Sequence, residues 1–339
     1  MKRLSTLESF ILHSVWNLDY IRDSPYVEEL PTPDFVYHYT SRDKAIAITN
    51  TLIEAANKGG EDKCGLAFTD YRFLNDSLEY KLGLSFAIDW IGHSDAFPRW
   101  LRKDVLALLK GKENNAEFAP YVLSLCQKGD STLHWQVYTD KKDGGYALGL
   151  DFWKLRDAVE KFNSMAMDEA ERMVFYDAPP LIFLPCIYCP PSKDWKRNDD
   201  LRCKIENVLG QIFAGVSKYL YNEEMSKEPR FSNCARWCAA RIFQFASLVK
   251  SDMFRFEDEW RLVIRPIKIE CKDENVYAGK PMITPKSLEI GRCLKRVIVS
   301  PHGDKKRLKY LAEFQRRRLD AHQFHPLNQL EKTAFGNKL

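Results

Sequence analysis

Residues 35–48 read FVYHYTSRDKAIAI, an apolar and aromatic run that carries a histidine and passes directly into the start signal of a helix. Alternation sets Phe35, Tyr37 and Tyr39 on one side of a strand and Val36, His38 and Thr40 on the other. Thr40 and Asp43 form an S/T-x-x-D cap, after which Ala45, Ile46, Thr49, Leu52 and Ile53 recur at helical spacing. A strand feeding a helix, with a hydrogen-bonding ring at the junction, predicts a mixed fold. It leaves two readings of His38, a satisfied core histidine or a ligand contact.

The same patterns continue outward. CGLAFTDYRFLND (64–76) reads as a strand and loop before a helix to about residue 92, with Asp76 and Glu79 as its cap. YVLSLCQ (121–127) alternates Val122, Ser124 and Cys126 against Tyr121, Leu123 and Leu125. GGYALGLDF (144–152), LIFLPCIYC (181–189), EDEWRLVIRPIKI (257–269) and LKRVIVSP (294–301) are further strand candidates. Helical patterns cover 153–173 and an aromatic, alanine-rich stretch near 200–250. Strands and helices interleave without regular βαβ spacing, which predicts an α+β fold with a mostly antiparallel core, flanking helices and a helical insertion at about 195–250. The expected division is an N-terminal helical segment (1–30), one catalytic-type domain (31–305), and a basic C-terminal helix and tail (306–339).

Composition narrows the function classes. The 339 residues are 45% apolar and 13% aromatic, enough for a sizeable core, and 51 basic against 47 acidic residues leave a formal charge of only +4. The chain is therefore no polycation that coats nucleic acid by charge alone. The start MKRLSTLESFILHSVWNLDY has its apolar positions interrupted by Glu8, His13 and Asn17, and no run approaches the length of a membrane span, so a cytoplasmic protein without a membrane partner is expected. Nine cysteines spread along the chain suit reduced thiols.

Four segments, YHYTS with its helix, TDYRFLNDSLEY, YVLSLCQKGDSTLHWQVYTDKKDGGYALGLDF and MFRFEDEWRLVIRP, resemble in order and spacing the bacterial family DUF2971 over residues 35–300. The chain departs from that family at 185–250 and in its tail, FHPLNQLEKTAFGNKL. The family name carries no chemistry. In a period-two strand, Glu257, Glu259 and Arg261 would share one face while Asp258, Trp260, Leu262 and Ile264 take the core side. Adjacent like charges are tolerated where one carboxylate must stay ionised or the pair must address a cation or hydroxyls; a solvated face paired with Arg255 and Arg261 is the other reading.

The order of His38, strand Ser124 and an E-x-E is similar to that of ADP-ribosyltransferases, which hold NAD on a split, mostly antiparallel core. By that resemblance NAD is the substrate and no metal is expected. His38 would bind the adenosine ribose, Ser124 would brace the catalytic carboxylate, and Glu259 would bind the nicotinamide ribose and stabilise its oxocarbenium-like carbon. Glu257 would orient or deprotonate an acceptor, which is water, protein or nucleic acid. Tyr39, Trp135 and Tyr138 are candidates to stack on nicotinamide, and Arg261 is a further substrate-binding candidate. Bacterial toxins and phage-defence effectors are the setting in which such chemistry is expected. GDSTLHWQVYTD also clusters Asp130, His134, Trp135 and Tyr138 between two strands, where ligand contacts often lie.

Other classes have less local support. Cys186-x-x-Cys189 and Cys234-x-x-x-Cys238 could supply thiolates for zinc, but they read better as buried strand and helix positions. No H-E-x-x-H, P-loop or G-x-G-x-x-G is present. The alternative function is nucleic-acid work. The basic residues of 305–318 would bind phosphates, or a metal-dependent nuclease would assemble Asp70, Asp76, Glu79, Glu257 and Glu259.

Overall fold

The structure is a computed structural model, and it describes residues 33–57, 66–74, 77–95, 97, 99–110, 119–139, 144–166, 181–189, 209, 232–265, 271–277, 280–285 and 288–300. The expected segment 1–30 and basic helix 306–339 lie outside the described residues, as does most of the stretch 195–250 up to Ser232.

The opening stretch folds as read, with β1 at Phe35–Ser41 followed without a gap by α1 at Arg42–Asn57. Ser41, one residue beyond the expected cap Thr40, directly precedes the helix. The remaining elements are β2 (Phe68–Asp70), α2 (Ser77–His93), α3 (Arg99–Lys110), β3 (Tyr121–Cys126), α4 (Thr132–Tyr138), β4 (Gly145–Asp151), α5 (Phe152–Ala166), β5 (Leu181–Pro185), β6 (Ile187–Cys189), α6 (Ser232–Ala246), β7 (Val249–Ser251), β8 (Glu259–Ile264), β9 (Cys271–Tyr277), β10 (Lys280–Pro285) and β11 (Leu294–Val299). Among the described residues nine strands form one sheet, in the order β11-β4-β1-β3-β2-β10-β9, with β8 paired to β3 and β5 to β8. Every described pairing in this sheet is antiparallel, and helices pack around it, so the fold class is α+β.

Strand β3 organises the sheet. One edge pairs with β8 over its whole length, from Tyr121↔Ile264 to Cys126↔Glu259. On the other edge β1 pairs at Cys126 while β2 pairs at Tyr121 and Val122, so the sheet splits along Leu123–Leu125. At the split, the His38 imidazole Nδ1 lies 3.4 Å from the Ser124 carbonyl oxygen. Close approach explains one glycine of the neighbouring strand. A Cβ on Gly149 would stand 2.8 Å from Arg296 Cβ and 2.9 Å from the Tyr37 ring, which leaves no room for a side chain.

Register sorts the strands into two faces. Leu123, Leu125, Trp260 and Leu262 share one face, where the Trp260 ring meets Phe152 at 4.9 Å and Phe183 at 5.2 Å between centroids. Leu262 is fully buried there, worth roughly 2–3 kcal/mol of apolar transfer. The run LIFLPCIYC does not form the single expected strand. Pro185 ends β5 in the large sheet, and β6 pairs in parallel with β7 in a separate two-stranded ribbon. Between them the Cys186 N–H donates to the Glu259 carbonyl and the Ile187 N–H to the Leu248 carbonyl, which carries the chain from one sheet to the other. Cys186, Cys189 and Cys238 are buried in the core.

Candidate functional site

The E-x-E segment is not a continuous strand. Glu257 ends a 3-10 helix (Asp252–Glu257), Asp258 is left-handed at φ 43 and ψ 52, and β8 begins at Glu259. Aspartate tolerates this conformation better than most residues because its short side chain bonds locally. The turn is fastened by Asp258 N–H to Arg255 O at 3.2 Å and Gln127 N–H to Asp258 O at 3.0 Å. The two carboxylates therefore converge through a backbone turn, where the sequence predicted strand alternation.

They converge on one ammonium. Lys250 Nζ donates to Glu257 Oε2 at 2.7 Å and also to Glu259 Oε2. Arg261 holds the other side of Glu259, with Nε donating to Oε1 at 2.7 Å and Nη2 to Oε2 at 3.3 Å, while Nη1 reaches the Ser247 carbonyl at 2.6 Å. Tyr138 OH donates to Glu257 Oε2 at 2.9 Å, and the Tyr188 hydroxyl accepts the Glu259 N–H at 2.8 Å. Lys250, Glu257, Glu259 and Arg261 are each no more than 5% exposed, which overturns the solvated-face reading. Arg255, offered in that reading as a partner, donates instead to Asp252 Oδ1 at 2.5 Å.

Burial alone would raise the Glu259 pKa, but the charges and hydrogen bonds of Arg261 and Lys250 outweigh it and bring the group down to about 2. Arg261 and Lys250 thus favour the ionised form of Glu259 despite its burial. Two buried carboxylates face two buried cations, an arrangement that stands only while every partner is present.

An aromatic stack adjoins this network. The His134 ring lies between Tyr39, at 5.0 Å and 19°, and Tyr138, at 5.9 Å and 27°. Tyr39 is fixed at its hydroxyl, which donates to the Lys128 carbonyl at 2.7 Å and accepts the Ser131 N–H at 3.2 Å. His134 is 1% exposed and neither ring nitrogen makes a hydrogen bond. Burial lowers its pKa, and the Glu257 backbone pulls the other way without reaching hydrogen-bond geometry, so the ring is neutral near pH 7. Each idle buried nitrogen costs about 1–3 kcal/mol.

The sequence candidates separate accordingly. Tyr138, Glu257, Glu259 and Arg261 meet at this site, and Tyr39 reaches it only through the His134 ring. Trp135 stays at the same corner as a core residue, edge-on to Tyr39 at 4.7 Å with its Nε1 donating to Asp130 Oδ1 at 2.8 Å. His38 does not join them. Tyr37, Cys126 and Glu259 are successive register partners on one face, and His38, next to Tyr37 and opposite Leu148, points to the other. Burial and nearby Lys44 lower the His38 pKa despite its contact with the Ser124 carbonyl. Nor does Ser124 sit opposite Glu259; its register partner is Arg261, and Cys126 faces Glu259.

Lys250 was missed altogether, and His134 was grouped with its neighbours without a role. The available signal was a single lysine in the apolar run IFQFASLVK, too common a pattern to single out. Asp70, one carboxylate of the nuclease alternative, is fully buried and held by Arg72, whose Nη2 donates to it at 2.5 Å. Asp76 and the side chain of Glu79 lie outside the described residues. Among the described residues no three His, Cys, Asp or Glu side chains group so as to hold a metal ion, and none of the described helices is long and apolar enough to cross a membrane.

No curated protein and no solved structure matches the chain. The family model "Protein of unknown function (DUF2971)" matches residues 134–262, a span that excludes His38 and Ser124. It begins at His134 and takes in Tyr138, Lys250, Glu257, Glu259 and Arg261, and by this match the region that carries the buried network belongs to the DUF2971 family.

Proposed function

We propose that the chain cleaves the nicotinamide–ribose bond of NAD, as an ADP-ribosyltransferase or NAD glycohydrolase. The observation that carries this reading is the convergence of Glu257 and Glu259 on a single cation, with Glu259 held ionised in a buried site. A carboxylate kept anionic in such surroundings favours positive charge that develops during reaction more strongly than it would in water. The split, antiparallel sheet beside it and the rings of Tyr39 and Tyr138 agree with the resemblance noted from the sequence.

In this reading the C–N bond breaks with its electron pair leaving on nicotinamide, which departs neutral, and Glu259 stabilises the electron-poor ribose carbon. Glu257 accepts a proton from the attacking water or acceptor and orients it for bond formation at that carbon. Tyr138, which already donates to Glu257, holds that carboxylate in place. Arg261 keeps Glu259 ionised throughout, and Lys250 must leave the carboxylates before substrate can occupy the same space. The adenosine-side role given to His38 has no place on this face.

The test is nicotinamide release from labelled NAD by the purified chain, with cell extract supplying acceptors and activators. Wild type is expected to release nicotinamide, and Glu259→Gln to lower the rate by about 10²–10³-fold through loss of transition-state charge stabilisation. No release from wild type under these conditions overturns the reading.

A further inference from the structure

We infer that Glu257 and Glu259 form a receptor for an organic cation, filled in this state by the chain's own Lys250, and that the ligand displacing it also hydrogen-bonds His134. The inference rests on the proposed reading, which supplies a ligand with a cationic ring nitrogen and polar substituents. Its chemical class is a flat heteroaromatic cation bearing a carboxamide or hydroxyl.

Three independent features support it. The first is the origin of Lys250. Arg261, the other cation, belongs to β8 together with Glu259, but Lys250 comes from the separate β6–β7 ribbon, whose described pairs are Ile187↔Val249, Tyr188↔Lys250 and Cys189↔Ser251. The ribbon itself is packed in the core, with Ile187, Cys189 and Val249 buried, so what displacement asks for is a swing of the Lys250 side chain, which no backbone element shares with Glu259.

The second is charge. With Lys250 withdrawn, Glu259 keeps Arg261 and Glu257 keeps the Tyr138 hydroxyl, so two buried carboxylates share one cation among the described residues and the vacated place suits another. The surroundings suit an organic one, since the Phe254 ring stands 5.3 Å from Lys250 Nζ.

The third is His134. Its ring is packed against Tyr138, whose hydroxyl is on Glu257, so it stands beside the carboxylates with both nitrogens buried, the Glu257 backbone near it and neither nitrogen in hydrogen-bond geometry. A neutral imidazole offers one donor and one acceptor, which a carboxamide or hydroxyl on the displacing ligand would satisfy. Lys250 satisfies the carboxylates but not His134, and in this respect it is an incomplete occupant.

The probe is 1-methylnicotinamide, a compact aromatic cation with a carboxamide, and the control is neutral nicotinamide, each titrated calorimetrically into the full chain. Lys250→Gln is expected to bind the cation at least about tenfold tighter than wild type, with no gain for nicotinamide. Adding Glu257→Gln to that variant should abolish the gain, and adding His134→Phe, which keeps the stack, should weaken it several-fold. A folded Lys250→Gln that binds the cation no better than wild type overturns the inference.

Should that variant fail to fold, amine labelling of wild type read by mass spectrometry decides the question. Faster labelling of Lys250 with 1-methylnicotinamide present supports displacement, and an unchanged rate overturns it. The two readings fail separately. Cation binding without NAD cleavage removes only the proposed activity, and NAD cleavage without the gain in Lys250→Gln removes only the displacement.

Discussion

On one face of β3 and β8, Leu123, Leu125, Trp260 and Leu262 lie together and the Trp260 ring meets Phe152 and Phe183; on the other, Glu259 is held by Arg261 and Lys250, with Glu257 and the Tyr39–His134–Tyr138 stack beside them. Both faces are buried, yet they tolerate damage differently. Contacts on the apolar face are non-directional and each ring loses area in proportion to what is removed. On the polar face each charge depends on a named partner, so the loss of one residue leaves another desolvated and uncompensated.

The sharpest way to break this comparison is Lys250→Met. It removes the ammonium that Glu257 and Glu259 share and is expected to cost about 3–5 kcal/mol in urea unfolding. Combining it with Glu257→Gln should recover a large part of that loss, whereas simple additivity of the two costs would mean that the network is not coupled. On the apolar face Leu262→Ala should cost about 3 kcal/mol, and no single second substitution elsewhere on that face should restore it.

Acid sharpens the contrast. The Glu259 pKa is depressed in the folded chain from 4.5 to about 2, so its contribution is fully present above pH 4.5 and is lost as pH falls toward 2, on the order of 3 kcal/mol. Urea midpoints followed across that window should fall steeply in wild type and more shallowly in Glu259→Gln. His134 adds an earlier component, because its folded pKa is also lowered and its stabilising contribution begins to fade as pH drops below 6.5. In His134→Phe the loss between pH 6.5 and 5 should shrink.

The smallest effects concern Asp258, the left-handed hinge between the carboxylates. Asp258→Gly should stay within about 0.5 kcal/mol of wild type, since the gain in backbone freedom offsets loss of the exposed Lys128–Asp258 ion pair. Asp258→Val should cost about 1–2 kcal/mol, because a β-branched residue resists that conformation. Equal stability of the two variants would deny the turn its part in bringing the carboxylates together.

Much of the fold was legible because its signals are local. The alternation in FVYHYTS, YVLSLC and LKRVIV and the helical spacing after Ser41 located elements to within a few residues. The structure brings together four residues that the sequence singled out, Tyr138, Glu257, Glu259 and Arg261, with Tyr39 one ring away across His134. His38, expected to bind the adenosine ribose in the cleft of Glu259, lies on the other face, because its facing depends on which residue of β3 stands opposite Tyr37, and no pattern in either strand alone specifies that register.

The amino-acid sequence by itself determined the periodicities, the charge balance and the α+β class, all of which follow from residue spacing and side-chain chemistry. Tertiary structure alone decided that Pro185 would send the chain into a second sheet, that Asp258 would turn left-handed, and that Lys250 would come to rest between two carboxylates. The reason is physical. A buried charge is settled by the partner that reaches it in three dimensions, and Lys250 and Glu259 reach each other from different sheets.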